Sequence, residues 1–323
     1  MTWLSWRQFR TQGATVAAIL AVLAVLLLFV GLDLRHLYSV SGLATCASNP
    51  NCGGSNYDAF LSHYVPVRQL LGPLLLVLPA AIGVFWGAPL VAGELESGTF
   101  RMVWTQGVSR TRWLAVKIAV VGTASVVVTA LASLVVTWWY SQIDQINNSR
   151  FQSDIFNERN VAPIGYAAFA FALGLCAGIL LRRTLTAMAV TLVGYIAAQA
   201  VVMTSIRPRF MAALHATGPI EPPPGAIAVA KGGLPPKALT DPGDWIISNS
   251  VTNAAGHSVT NIEIRPDSEC ANTGHCLADY HQNITYQPAS RYWSFQWHEF
   301  GLYVGLTAVL IGLSFWLIRR RLS

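Results

Sequence analysis

Charged side chains are scarce in this sequence. Asp, Glu, Lys and Arg make up 11% of the 323 residues, whereas 53% are hydrophobic. Soluble domains carry about 25% charged residues, because a surface that meets water has to be covered by groups that water solvates. A surface that meets lipid needs no charge. The composition therefore excludes an ordinary soluble protein and predicts an integral membrane protein.

Three catalytic devices are also missing. The sequence has no Gly-x4-Gly-Lys-Ser/Thr phosphate loop, and no Gly-Lys dipeptide occurs anywhere in it. A zinc-protease His-Glu-x-x-His motif and a Gly-x-Ser-x-Gly nucleophile elbow are equally absent. We therefore expect no enzyme and no cofactor in this chain, so that any ATP and Mg²⁺ would be held by another polypeptide.

Acids, Lys and Arg are absent from the middle of every predicted membrane span. Ion-coupled transporters commonly bury such groups as proton or sodium relays. The absence argues against a stand-alone secondary transporter. Backbone carbonyls can also bind sodium, so that class stays open as an alternative.

Six apolar runs are long enough to cross a bilayer, which takes about 20 residues. They predict an all-α polytopic membrane protein with six transmembrane helices. The runs are Ala14–Leu34, Leu70–Val91, Ile118–Tyr140, Ile164–Leu181, Thr184–Ile206 and Phe300–Ile318.

The basic residues define an orientation. With both termini in the cytoplasm, the inner segments carry about half of the basic residues but only two acids, Glu94 and Glu96. The net charge of +6 is therefore a topology signal, and no nucleic-acid partner is expected. Aromatic and basic residues precede the first span and predict an N-terminal helix lying in the headgroup layer of the bilayer: Trp3, Trp6, Arg7, Phe9 and Arg10. That span exceeds the usual signal-peptide core, so we expect it to be retained.

This topology divides the chain into three parts. Residues 1–206 hold the interfacial helix, five spans and an inner loop at 93–117. Residues 207–298 form an extracellular domain, and residues 299–323 hold the sixth span and a basic cytoplasmic tail. Within the extracellular domain, alternating residues predict a β-hairpin with strands at Trp245–Thr252 and Ser258–Ile264.

Four of the five cysteines fall in outer loops: Cys46 with Cys52, and Cys270 with Cys276. Disulfides persist outside the cell, so we expect one disulfide in each loop. A metal site is the rival interpretation, because ligand-type side chains cluster at Cys270, His275, Cys276 and His281. Structural zinc sites usually show Cys-x2–4-Cys spacing, which this segment lacks, so no metal is predicted. Cys176 is interpreted as a packing residue.

The inner loop at 93–117 is the most informative segment. Two acids precede a short helical piece that carries exposed aromatic residues, and Ser109 can cap the helix that re-enters the membrane. A compact helical hairpin of this kind suits a cytoplasmic partner, with the acids as hinge or docking groups. An ordinary basic loop that only fixes topology is the alternative. The candidate partner-binding residues are Glu94, Glu96, Gly98, Phe100, Arg101, Met102, Trp104 and Arg110.

Mildly polar residues recur inside two spans. They could line a path for an amphipathic substrate, or they could form hydrogen bonds between packed helices. Both interpretations remain open at this point. The residues are Thr129, Ser133, Thr137, Thr191, Tyr195 and Gln199.

Two stretches of the inner loop resemble a known family. Gly93-Glu94-x-x-x-Gly98-Thr99 and Val108-Ser109-Arg110-x-Arg112-Trp113, followed by Lys117, look like the type-2 ABC exporter permeases. In that family this loop forms a coupling helix that contacts the ATPase subunit, and the N-terminal helix is an interfacial elbow helix. Residues 286–297 resemble a subgroup associated with actinobacterial genomes.

The resemblance implies an assembly and a location. It implies a bacterial plasma-membrane complex of two permease halves, expected to be a homodimer, with two cytoplasmic ABC ATPase subunits. The cargo would be hydrophobic or amphipathic, such as a drug, antibiotic, peptide or lipid. The alternative from another class is a non-transporting membrane sensor or immunity protein that binds a ligand through its extracellular domain.

Overall fold

A computed structural model describes residues 76–98, 109–141, 150–219, 243–259 and 280–321, together with short stretches and single positions between them. Five of its helices are long and apolar enough to cross a membrane: Leu76–Ser97, Arg110–Ser141, Ala162–Leu181, Thr184–Arg209 and Ala289–Arg320. They correspond to the second to sixth predicted spans, so the chain is a multi-pass membrane protein. Most of the first predicted span and all of the interfacial helix lie outside the described residues, although residues 28–33 are helical.

We number the described helices in chain order. They are α1 (Leu76–Ser97), α2 (Arg110–Ser141), α3 (Ser153–Glu158), α4 (Ala162–Leu181), α5 (Thr184–Arg209) and α6 (Tyr292–Arg321). The strands are β1 (Leu214–Pro219), β2 (Ala228–Val229), β3 (Trp245–Thr252), β4 (Ser258–Val259), β5 (Ile262–Glu263) and β6 (His281–Gln287). The chain forms two compact units: a helical unit of residues 1–147, 153–204 and 296–323, and a second unit of residues 148–152 and 205–295.

The ends of the helices follow from local chemistry. Helix α1 ends at Gly98, whose φ of 73° is left-handed and suits glycine. Helix α2 begins after Ser109, whose side chain accepts a hydrogen bond from the backbone N–H of Arg112 at 3.4 Å. The predicted cap at Ser109 is therefore confirmed. Arg182 and Arg183 alone separate α4 from α5, which makes these two helices antiparallel neighbours.

Two helices extend beyond their predicted spans through turns that carry carboxylates. Helix α1 continues six residues past Val91 and carries both Glu94 and Glu96. Helix α6 begins eight residues before Phe300 and carries Glu299. In both places the additional turns contain carboxylates that bond to residues distant in the sequence, and hydropathy cannot register such partners.

Helix α4 is the central helix of the helical unit. In its most apolar stretch 72% of the residues are buried, compared with 22–50% in the other spans. Its backbone approaches α1 closely. A side chain added at Gly178 would lie 2.6 Å from the carbonyl oxygen of Ala88, and one added at Gly87 would lie 2.5 Å from that of Phe171. Both helices carry a Gly-x3-Gly pattern, Gly83 to Gly87 and Gly174 to Gly178, which permits this kind of contact between membrane helices.

Helices α1 and α2 each contain one turn of π-helix, at Gly83–Gly87 and Ile118–Gly122. In α1 the widened turn directly precedes Pro89, whose nitrogen carries no hydrogen to donate. The N–H of Ala88 reaches back five residues to the carbonyl of Gly83. Both turns lie beside Phe171 of α4. A local widening thus allows the proline without breaking the helix.

Two of the three exposed tryptophans of α6 have a spacing that matches a bilayer. Trp297 and Trp316 are 56% and 49% exposed, respectively. They are 19 positions apart, which at about 1.5 Å per residue is about 28 Å. That spacing is close to the ~30 Å of a hydrocarbon core, and tryptophans favour its two boundaries. The guanidinium of Arg320 lies 5.0 Å from the Trp316 ring, as expected for a basic residue at the headgroups.

The second unit is built on a small antiparallel sheet. Its strand order is β1-β6-β3-β4, and β2 pairs separately with β5. The predicted hairpin is confirmed at its turn, where Val251 pairs with Val259 and Thr252 with Ser258. Residues 262–263 instead pair with β2. Strands β1 and β6 were not predicted; their polar residues pair with each other and with β3 across the sheet. Cys46, Cys52, Cys270 and Cys276 lie outside the described residues.

Candidate functional site

The predicted partner-binding loop has a well-defined base. Lys117 of α2 donates hydrogen bonds to Glu94 Oε1 of α1 at 2.6 Å and to the carbonyl of Leu90 at 2.9 Å. Its ammonium also lies 4.8 Å from the Trp113 ring. The Lys117 side chain is 7% exposed and that of Glu94 is 22% exposed. The ion pair therefore joins the two helices that flank the loop and holds them together where the loop begins and ends.

Glu96 makes the second connection. One of its carboxylate oxygens accepts hydrogen bonds from the backbone N–H and the hydroxyl of Thr184, at 2.9 and 2.7 Å. Thr184 is the first residue of α5, where the backbone N–H groups have no partner within the helix. Glu96 thus caps α5 from another helix, and a negative charge is favourable at that end.

An apolar cluster lies beside these two connections. It is formed by Val91 of α1, Trp113 and Leu114 of α2, and side chains of α4 and α6. The members from α4 and α6 are Leu175, Cys176, Ile179, Leu317 and Ile318. The base of the loop is therefore in contact with α4, α5 and α6 as well.

The remaining predicted loop residues are placed as follows. Gly98 ends α1, and Arg110 opens α2 as a partly buried residue. Phe100, Arg101, Met102 and Trp104 lie outside the described residues. The second oxygen of Glu94 is buried, and no group in the described part of the chain forms a hydrogen bond with it.

The polar residues predicted inside the spans are all engaged within the chain. Thr129 and Thr191 donate to carbonyls four residues earlier in their own helices. Tyr195 accepts from Gln199, which in turn accepts from Tyr303 of α6 at 2.8 Å. Such hydrogen bonds are what packed membrane helices commonly form.

Ser133 and Thr137 belong to a buried polar cluster at the end of the helices remote from the loop. We call it the far-end cluster; it consists of Asn157, Glu158, Arg159 and Asn160 with the side chains that bond to them. The hydroxyl of Ser133 donates to the carbonyl of Asn160 at 2.6 Å, and that of Thr137 accepts from the Asn160 N–H at 3.0 Å. Two predicted positions are thus brought together by a segment that the sequence presented only as a short polar loop.

Charged groups of the far-end cluster are buried and paired. Arg159, 2% exposed, donates to both carboxylate oxygens of Asp144 at 3.0 and 3.1 Å. Glu158 accepts from the hydroxyl of Tyr140 at 2.8 Å. The Arg159 guanidinium lies 5.3 Å from the Tyr140 ring. Glu158 and Arg159 lie at the end of α3, and nothing in their spacing indicates that they turn into the helical unit.

Glu299 is a buried acid that the sequence analysis missed. It is fully buried on α6, and Glu299 Oε1 accepts from the hydroxyl of Tyr166 at 2.6 Å. Because the sixth span was predicted to start at Phe300, one residue later, this carboxylate was placed just before the span and not within its helix. A helical continuation through Trp297, three residues before Phe300, was the available signal.

A comparison with known families identifies the class. Residues 17–207, more than half of the chain, match the family described as ABC-2 membrane transporter related. The chain belongs to this family, whose members are membrane permease components of ABC transporters and are not themselves ATPases. The type-2 permease resemblance found in the loop sequence is supported at this level. No curated protein and no solved structure matches the chain.

Proposed function

We propose that this chain is the transmembrane permease subunit of an ATP-driven exporter, with the 93–117 loop as the docking point for a separate ATPase subunit. The observation that carries the proposal is the base of that loop, where Glu94–Lys117 and Glu96–Thr184 tie the loop to α1, α2 and α5. A loop that only reversed the chain would not need a buried lysine bonded to the neighbouring helix.

The two connections give the loop a mechanical role. The ion pair holds the cytoplasmic ends of α1 and α2 together, so that a push on the loop moves both helices as a pair. The Glu96 cap adds α5, and the apolar cluster adds α4 and α6. Closure of the ATPase subunits on ATP would then be converted into a rigid-body tilt of the spans, the kind of transition by which packed helices respond to a ligand.

Glu94 is also suited to contact the partner. Its Oε1 is bonded to Lys117, whereas its second oxygen has no hydrogen-bond donor among the described residues. A buried carboxylate oxygen without a donor is costly. We expect its donor to come from the loop itself or from the ATPase subunit.

The assembly proposed is two permease subunits and two ATPase subunits in a bacterial plasma membrane, with both termini of this chain in the cytoplasm. The exposed basic residues at the loop end of the helices support that orientation: Arg112, Arg182, Arg183, Arg319 and Arg320. The cargo class proposed is hydrophobic or amphipathic.

Co-purification tests the proposal. The tagged chain is expressed with its neighbouring genes and extracted in mild detergent, and ATP hydrolysis is measured on the complex. We expect a stoichiometric ATPase subunit that is lost when residues 98–105 are scrambled. A folded chain that binds no ATPase would overturn the proposal and favour the membrane sensor.

Glu96→Ala tests the coupling role more finely, with Ser97→Ala as its matched control. Ser97 is the next residue, and its hydroxyl bonds to the carbonyl of Gly93 in its own helix. We expect Glu96→Ala to keep the ATPase bound but to reduce transport per ATP hydrolysed, while Ser97→Ala changes neither. Equal behaviour of the two variants would exclude Glu96 from coupling.

A further inference from the structure

The far-end cluster is formed by a chain segment that turns inward. In the last turn of α3 and the residue that follows it, the side chains of Phe156, Asn157, Glu158 and Arg159 are all at most 4% exposed. A loop between two spans normally lies on the surface, because its backbone and side chains need water. Here the polar groups of the segment are buried and bonded to the helices instead.

The bonds of this segment reach four spans. Ser133, Thr137 and Tyr140 belong to α2, and Tyr166 of α4 lies 3.2 Å from Asn157 Oδ1. The remaining bonds are to α5 and α6. Asn157 donates to the sulfur of Met203, and Gln296 joins the segment through the carbonyl of Phe156 at 3.1 Å and the N–H of Ala162 at 3.0 Å.

The far-end cluster is polar, whereas the contact between α1 and α4 is apolar. Opening a water-filled path through the glycine-lined contact would expose tightly packed apolar surface to water, at about 25 cal/mol per Å². Separating the far-end cluster would exchange hydrogen bonds within the protein for hydrogen bonds to water. Each such bond contributes only about 0.5–1.5 kcal/mol net. The far-end cluster is therefore the place where these helices can separate and rejoin at a low cost in free energy.

We infer that the far-end cluster is the outward gate of the permease: it closes the extracellular end of the path in the resting state and becomes hydrated when the ATPase subunits close. This inference rests on the proposed function. The gating segment is residues 156–160, and the hydroxyl of Tyr166 lies between Asn157 of this segment and Glu299 of α6.

Two serines of α2 provide a matched test. Ser133 is 3% exposed and bonds to the gating segment, whereas Ser125 is fully buried two turns away and bonds to the carbonyl of Val121 in its own helix. Each is replaced by cysteine in the full complex. A membrane-impermeant thiol reagent is applied from outside, and labelling at that residue is read by peptide mass spectrometry.

We expect Ser133→Cys to be labelled at least about tenfold faster when ATP and vanadate trap the ATPases than at rest. That factor corresponds to a shift of about 1.4 kcal/mol in favour of the open state. Ser125→Cys should stay unlabelled in both conditions. Labelling of Ser133→Cys that does not change while the ATPase is active overturns the gate alone. Absence of any bound ATPase overturns the gate together with the proposed function.

A pair of tyrosine variants separates gating from folding. Tyr166→Phe removes the hydroxyl that lies between Asn157 and Glu299, whereas Tyr195→Phe removes a buried hydroxyl that accepts a hydrogen bond from Gln199 of its own helix. Both variants lose one hydroxyl. We expect Tyr166→Phe to raise resting labelling at Ser133→Cys severalfold, and Tyr195→Phe to leave it unchanged. Equal effects would assign a structural role to the cluster.

Discussion

The same helices are held in different ways at their two ends. At the loop end, two carboxylates, Glu94 and Glu96, each reach one partner on another helix, and Glu96 is exposed to water. At the far end, residues 156–160 form bonds with four helices, and their charged groups are almost fully buried. The loop end is therefore tied by two separate connections, one through the buried Lys117 and one through the exposed Glu96. The far end is held by a shared set of bonds, which we propose release together.

Among substitutions at the two ends, Arg159→Ala should lower the stability most. Removing one partner of a buried ion pair leaves the other charge unpaired, which typically costs about 3–5 kcal/mol. We expect the free energy of unfolding in detergent to fall by about that amount. A loss of less than about 1 kcal/mol would mean that Asp144 and Arg159 are solvated in the resting protein and that the far end is open.

Lys117→Ala should cause the second-largest loss of stability. It removes the only ammonium bonded to Glu94 in the described part of the chain, but Glu94 is 22% exposed, so water compensates in part and the loss should be about 3 kcal/mol at most. Lys117→Ala combined with Glu94→Ala leaves no unpaired charge. The double variant should recover part of the stability lost in the single one, and failure to recover would exclude the ion pair as the cause.

The contact between α1 and α4 lies between the two ends of the helices. It belongs to neither end, so substitutions there give a reference for the stability changes measured at the ends. A side chain at Gly174 would lie 2.7 Å from the backbone nitrogen of Ala88, whereas one at Gly312 meets nothing within 4 Å. Overpacking costs about 1–3 kcal/mol. Gly174→Ala should lose that much stability and Gly312→Ala none, as measured by thermal unfolding in detergent. Equal stability of the two would show that the helices separate easily here.

Thr184→Val is the smallest expected change in stability and the sharpest test of the loop end. It removes the hydroxyl bonded to Glu96 while the backbone N–H remains, so the thermal midpoint should hardly move. Transport per ATP hydrolysed should fall, as for Glu96→Ala. Thr186→Val is the control, because the hydroxyl of Thr186 bonds only locally, to the carbonyl of Arg183. Normal coupling in Thr184→Val would confine the role of Glu96 to the backbone cap.

The sequence predicted the spans best where apolar runs end at basic residues. Arg182 and Arg183 fixed the turn between α4 and α5, and both helices start within two residues of their predicted positions. The predictions fell short where a polar residue continues a helix because a partner elsewhere satisfies it. Glu94 and Glu299 extend α1 and α6 through Lys117 and Tyr166, and those pairings exist only after folding.

The acids at 94 and 96 were singled out from the sequence as candidate docking groups, and that role stays a prediction. Their partners within the chain, Lys117 and Thr184, could not be read from spacing. The far-end cluster could not be predicted from the sequence, because a polar loop that folds inward has the same composition as one that stays in water. The paired Gly-x3-Gly patterns were visible in the sequence, yet only the register of α1 against α4 shows that they meet.

The most direct test of the account is the complex itself, purified with its ATPase subunit and compared with a version in which residues 98–105 are scrambled. If the ATPase docks through the 93–117 loop, we expect a stoichiometric ATPase subunit and ATP hydrolysis in the first sample, and a folded chain without the ATPase in the second. An ATPase subunit that binds equally well to both would contradict docking through the 93–117 loop, and its absence from both would contradict the permease function.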